Sequence, residues 1–112
     1  LNERHVAMSE ELSLFGEGGE LPEKNKIRWN CRRGMKELEV VLLPFLEYCY
    51  DEFSPEKQRL FVRMLGYDDA SLYSYFMGYE ETSDPEVTAM IQEVQRAVAA
   101  KVSAGVDISQ YS

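Results

Sequence analysis

Apolar residues recur every three or four positions through most of the chain, with polar residues filling the intervals. From Glu23 the spacing is helical. Ile27 and Cys31 fall four apart and share one face, while Arg28 and Arg32 share the neighbouring one. Trp29 and Arg33 have the same separation, which on a continuous helix brings indole and guanidinium within stacking reach. Gly34 ends this helix or bends it sharply, because glycine has low helix propensity and an unrestricted φ. A second stripe, Leu38, Val41, Leu42, Phe45 and Cys49, follows the i, i+3, i+4, i+7, i+11 rule. Pro44 lies within it and removes the bond to the carbonyl of Val40, so a kink is expected rather than a stop.

Two later segments announce their own beginnings. Ser54-Pro55-Glu56 and Asp84-Pro85-Glu86 each combine a capping side chain, a proline at the first position and an acid in the first turn. The first should bury Leu60, Phe61, Met64 and Leu65 and close at Gly66. Asp68 or Asp69 then caps a short aromatic helix carrying Leu72, Tyr73, Phe76 and Met77, ending near Gly78. The last helix presents Val87, Met90, Ile91, Val94, Val98 and Lys101/Val102 and frays around Gly105. No segment alternates in a strand-like way for long, and no repeat recurs. The pattern predicts an all-α fold, a compact bundle of about five short helices over residues 23–104. Residues 105–112 form a C-terminal tail.

Residues 1–22 read as an extension, flexible or foreign to the native protein, since the chain opens on Leu1 with Met8 shortly after. Ser9 to Phe15 could form one or two amphipathic turns, and Gly16 to Pro22 is a breaker sequence. Acids scattered from Glu3 to Glu20 and the lack of an apolar core segment argue against a signal peptide. No apolar run approaches the roughly 18–20 residues of a membrane span. A cytoplasmic protein without a membrane span is the default expectation.

Charge changes the picture more than composition does. The 112 residues are 45% hydrophobic, enough to exclude wholesale disorder, and carry a net charge of −8. Yet Lys24, Lys26, Arg28, Arg32, Arg33 and Lys36 are half of the 12 basic residues, with no acid among them. One corner is therefore strongly positive on a negative body. The acidic remainder speaks against a nucleic-acid partner.

Catalytic chemistry has little to draw on. His5 is the lone imidazole, so a Ser-His or Cys-His pair is not expected. Cys31 and Cys49, with one His, cannot assemble an ordinary structural zinc site without help from carboxylates and read as small buried hydrophobes. Asp68-Asp69 and Glu80-Glu81 are explained by helix capping and solvated turns. Tyr67, Tyr73, Tyr75, Phe76 and Tyr79 read as core and core edge. The expectation is a protein that is not an enzyme and has no catalytic, metal or cofactor-binding residues.

The basic corner keeps two readings. It can be a solvated face, with Arg stems over Trp29 and Arg33 paired to Glu37 one turn later. Alternatively, Arg33 and Glu37 are directional anchors either side of Gly34, whose bare backbone lets another protein approach closely. A small helical regulatory or antitoxin-like binding module using the Lys24–Lys36 surface would employ the same residues.

Lys26-Ile27-Arg28-Trp29-Asn30-Cys31-Arg32-Arg33-Gly34-Met35-Lys36-Glu37-Leu38-Glu39 resembles the opening of the small bacterial succinate dehydrogenase assembly factors. These flavinylation factors are related to the mitochondrial succinate dehydrogenase assembly factor 2 and have an Arg-Gly-x-x-Glu hallmark. Pro44-Phe45, Tyr50-Asp51, Arg59-x-Phe61-x-Arg63-x-Leu65 and Asp68-Asp69 before Leu72 follow in matching order, so the resemblance runs from about Lys24 to Val98. Ala70-Ser71 stand where the family commonly has Pro-Asp, and Tyr75 where it commonly has Trp. The resemblance implies a five-helix bundle that binds the flavoprotein subunit of succinate dehydrogenase, and often of fumarate reductase; a monomer is expected. It further implies promotion of covalent FAD attachment in that partner, with no cofactor held stably by this chain. Carried over by position, the partner-binding motif is Arg33, Gly34 and Glu37. Arg28, Trp29, Arg32 and Lys36 surround it, and the matched Asp68 and Asp69 complete the candidate set.

Overall fold

The computed structural model describes residues 20–111. The amphipathic turns expected at Ser9 to Phe15, and His5, lie outside the described residues. Among the described residues five α-helices follow one another: α1 (Lys24–Cys31), α2 (Lys36–Tyr48), α3 (Pro55–Met64), α4 (Asp69–Met77) and α5 (Pro85–Ser103). Short 3-10 turns occupy Tyr50–Glu52 and Ser109–Tyr111, and there is no strand among the described residues.

The caps explain where the later helices begin. Ser54 accepts a hydrogen bond from the Lys57 N–H at 3.3 Å ahead of Pro55, and Asp84 accepts one from the Glu86 N–H at 3.0 Å ahead of Pro85. Asp68, of the two acids considered, caps α4 by accepting from the Ser71 N–H. Gly78 closes α4 at φ +80. Helix α2 runs unbroken through Pro44; the core contacts of its apolar face outweigh the one lost backbone bond.

Helix α2 is the spine. It packs against α1, α4, α5 and the C-terminal turn, and α5 in turn covers α3. Ile27, Leu38, Leu42, Phe45, Leu46, Phe61, Met64, Leu72, Met90 and Val94 are shut off from solvent. At the centre the Phe45 and Phe61 rings meet with centroids 4.7 Å apart, and Phe53 stands edge-on to Phe45 at 5.1 Å. Leu46 and Val62 are buried although the stripes did not include them, while Met77 and Val102, expected inside, are exposed. Helices α2 to α5 thus depart slightly from their simplest apolar faces, whereas Ile27 and Cys31 of α1 are buried as expected. Leu21 packs against the core ahead of α1, and Ile108 does so behind α5, so both ends of the described chain are tied down.

Candidate functional site

Helix α1 stops at Cys31 because the chain leaves helical geometry at once: Arg32 is extended, and Gly34 has φ +80. That left-handed conformation suits glycine, since any L side chain would crowd the following carbonyl. An ideal Cβ built on Gly34 meets nothing within 4 Å. The glycine is an exposed point on a sharp loop, with open space before it.

The break separates Arg33 from Glu37. They do not lie one turn apart on a helix, and the expected pairing between them is not formed. Nor does Arg33 stack on Trp29, whose ring is 73% exposed; among the described residues the cation–π contact is Lys57 over Phe53. Arg33 turns inward instead, with its side chain only 11% exposed. Nε donates to Asp69 Oδ1 at 2.6 Å, and Nη1 donates to the carbonyls of Leu65 at 2.8 Å and Asn30 at 3.2 Å. Nη2 donates to the carbonyl of Tyr67. Leu65 and Tyr67 lie where α3 ends and its last carbonyls lack helical partners, and Asp69 opens α4. A guanidinium has enough donors, in a flat fork, to satisfy this corner at once. Arg33 therefore fastens the Gly34 loop to the α3–α4 corner.

A second brace comes from Glu39. Its Oε2 accepts the Gly34 N–H at 2.8 Å, reaching back from the first turn of α2. Sequence reasoning missed this contact, although a signal existed. Met35, at the N-cap, has no side-chain cap to offer, so a first-turn carboxylate must reach back to the loop. With Arg33 and Glu39 engaged, the exposed charged residues around Gly34 are Arg32, Lys36 and Glu37. None of these three has an ion-pair partner among the described residues.

The other candidates divide in the same way. Arg28 is half-buried, bonding Asn25 and lying 3.6 Å from Glu47. Asp68 serves α4 as its cap; burial raises its carboxyl pKa, but hydrogen bonds from the Ser71 side chain and backbone outweigh this and hold it below the usual range. Asp69 is the counter-ion of Arg33. The structure thus gathers Arg32, Gly34, Lys36 and Glu37 on one exposed loop, with Arg33 and Asp69 behind it. Tyr67, whose carbonyl takes part in that bracing, extends the network outward. Its ring stands edge-on to Tyr75 at 5.3 Å, and its hydroxyl meets Thr82 at 2.9 Å.

Cys31 and Cys49 are free and buried. Burial pushes the Cys31 thiol up to about 12, so it is a neutral packing group at physiological pH. Among the described residues no group of three or more His, Cys, Asp or Glu is placed to hold a metal ion, and no helix is long and apolar enough to cross a membrane. What the arrangement offers chemically is a rigid, charged, sterically open loop.

Residues 25–98 match the family model described as flavinator of succinate dehydrogenase. An FAD assembly factor SdhE from Idiomarina loihiensis is 43% identical over 72 residues, covering 64% of this chain and 80% of its own length. One from Shewanella oneidensis is 42% identical over 74 residues, 66% of this chain and 90% of its own. A third, from Colwellia psychrerythraea, is 43% identical over 75 residues, 67% of this chain and 82% of its own.

Proposed function

This chain belongs to the succinate dehydrogenase flavinator family, and from that premise we propose that it is an assembly factor for the flavoprotein subunit of succinate dehydrogenase. It binds that subunit and promotes covalent attachment of FAD to it. Fumarate reductase flavoprotein is a second client, since the two enzymes present the same chemical problem of fixing a flavin to a folded domain. The chain acts as a cytoplasmic monomer, is not an enzyme, and holds no FAD of its own.

The observation that carries the reading to particular residues is the open face of Gly34. A backbone turned outward, with exposed Lys36 and Glu37 beside it, admits a partner surface that any side chain would hold away. Glu37 supplies a carboxylate acceptor, and Arg32 and Lys36 supply cations. Arg33 is a positioning residue: its bonds to Leu65, Tyr67 and Asp69 set the angle at which the loop is offered. The chain promotes attachment by binding the attachment-competent conformation of the flavoprotein more tightly than the others, because only differential affinity shifts such an equilibrium.

The test is co-expression with the flavoprotein subunit, followed by co-purification and in-gel fluorescence of covalently bound flavin. Wild type is expected to retain the subunit and raise its covalent flavin. Gly34→Arg is expected to lose both while remaining folded. Full flavin loading with the Gly34→Arg variant would overturn the proposal.

A further inference from the structure

Beside the Gly34 loop, α1, α2 and the C-terminal turn enclose an open groove of about 530 Å³. Arg28, Arg32, Lys36, Leu43, Tyr48 and Tyr111 are among the residues that line it. Two acids also reach it, but both are engaged: Glu47 faces Arg28 at 3.6 Å, and Glu39 accepts the Gly34 N–H. Arg32 and Lys36 are exposed and have no ion-pair partner among the described residues. With three cations against two carboxylates, the groove keeps a net positive charge beside Leu43, Tyr48 and Tyr111. It is an island on a chain whose net charge is −8.

We propose that this groove is a second docking site for the flavoprotein, taking an extended segment in which an acidic residue adjoins an aromatic or large aliphatic one. The proposal rests on the flavoprotein-binding reading above and adds a site and a specificity to it. Two features favour this occupant. The charge that remains free is positive, so an acidic segment is complementary, whereas the acidic body of the chain repels polyanions as a whole. The groove is also continuous with the loop: Arg32 and Lys36 flank Gly34 in the chain, and Glu39 both lines the groove and holds the Gly34 N–H. A partner seated against Gly34 has this groove as its next available contact. Tyr48 and Tyr111 line the groove, and tyrosine is a common means of gripping a side chain at an interface because little conformational freedom is lost.

The experiment measures binding of the full chain to the purified flavoprotein subunit over a range of salt concentrations. Arg32→Gln/Lys36→Gln is expected to weaken binding by about tenfold or more and to flatten its salt dependence, with an unchanged melting temperature. Arg32→Lys should recover most of the affinity lost on Arg32→Gln. Tyr111→Ala should weaken binding by roughly tenfold without altering the salt slope. Wild-type affinity in Tyr111→Ala, with Gly34→Arg still abolishing binding, would overturn the groove proposal and leave the Gly34 contact standing. Undiminished binding by Gly34→Arg would instead overturn the reading beneath it. Two further arms test other occupants: FAD alone, followed by its fluorescence, and sedimentation of the chain by itself. Saturable FAD binding, or self-association, that disappears in the double variant would also overturn the proposal.

Discussion

Gly34 allows conformational and steric effects to be separated by measurement. Its φ of +80 lies where L residues are strained, while the space before it is empty. Replacement by L-alanine therefore carries a conformational cost of about 1–2 kcal/mol and no packing cost. For a domain of this size that lowers the melting temperature by roughly 4–8 °C for each kcal/mol. Arginine at the same place should cost about as much as alanine, because its longer side chain extends into open solvent. D-Alanine, introduced by chemical synthesis, fits a positive φ without strain and should leave stability at or slightly above wild type. L-Alanine and L-arginine place a Cβ in the open space before the loop, whereas D-alanine carries its methyl at the other Cα position and serves as the strain-free control. Thermal and urea denaturation then report the strain, and titration with the flavoprotein reports the contact. L-Alanine and arginine are expected to weaken binding by more than their loss of stability explains, and D-alanine to spare stability. An untouched melting temperature in the L-alanine variant, or wild-type binding by the arginine variant, would refute this.

The remaining expectations concern the groups around that loop. Arg33→Ala leaves the carbonyls of Leu65 and Tyr67 without their donor and should cost about 2–4 kcal/mol in urea denaturation. Asp69→Asn removes a half-exposed counter-ion and should cost no more than about 1 kcal/mol. Glu39→Gln should loosen the loop by about 1 kcal/mol, while Glu37→Gln should leave urea stability unchanged and reduce covalent flavin in the co-expression assay. Cys31 should resist thiol reagents in the native state. Its thiol titrates near 12 when folded against an ordinary 9.0. The unfolded chain thus releases this proton first, and the contribution of Cys31 to stability falls as pH rises from about 9 towards 12. Cys31→Ala should flatten that alkaline decline, as followed by urea midpoints across the range.

Helix beginnings could be read from the chain because their causes are local. Ser54-Pro55 and Asp84-Pro85 each hold the capping atom within three residues of the N–H it serves. The persistence of α2 through Pro44 was legible for a similar reason, since the apolar stripe continues on both sides. Arg33 was not legible in this way. Its partners at Leu65, Tyr67 and Asp69 lie more than thirty residues ahead, and nothing in residues 24–39 indicates that the guanidinium turns inward. The same limit explains Met77 and Val102, whose spacing suits the core but whose faces the neighbouring helices leave uncovered. The lack of a Cβ makes the openness of Gly34 legible in the chain, whereas its left-handed turn and the hold of Glu39 follow from the three-dimensional arrangement.

The fastening of Arg33 across the molecule sets a lower bound on what can be transplanted. A synthetic peptide copying residues 24–39 would contain every side chain of the basic corner, yet it would lack the carbonyls that keep the guanidinium folded under. Its loop would wander among shapes, and its affinity would fall accordingly. An inhibitor or biosensor patterned on this surface has to import the α3–α4 corner as well, or replace its grip with a cross-link.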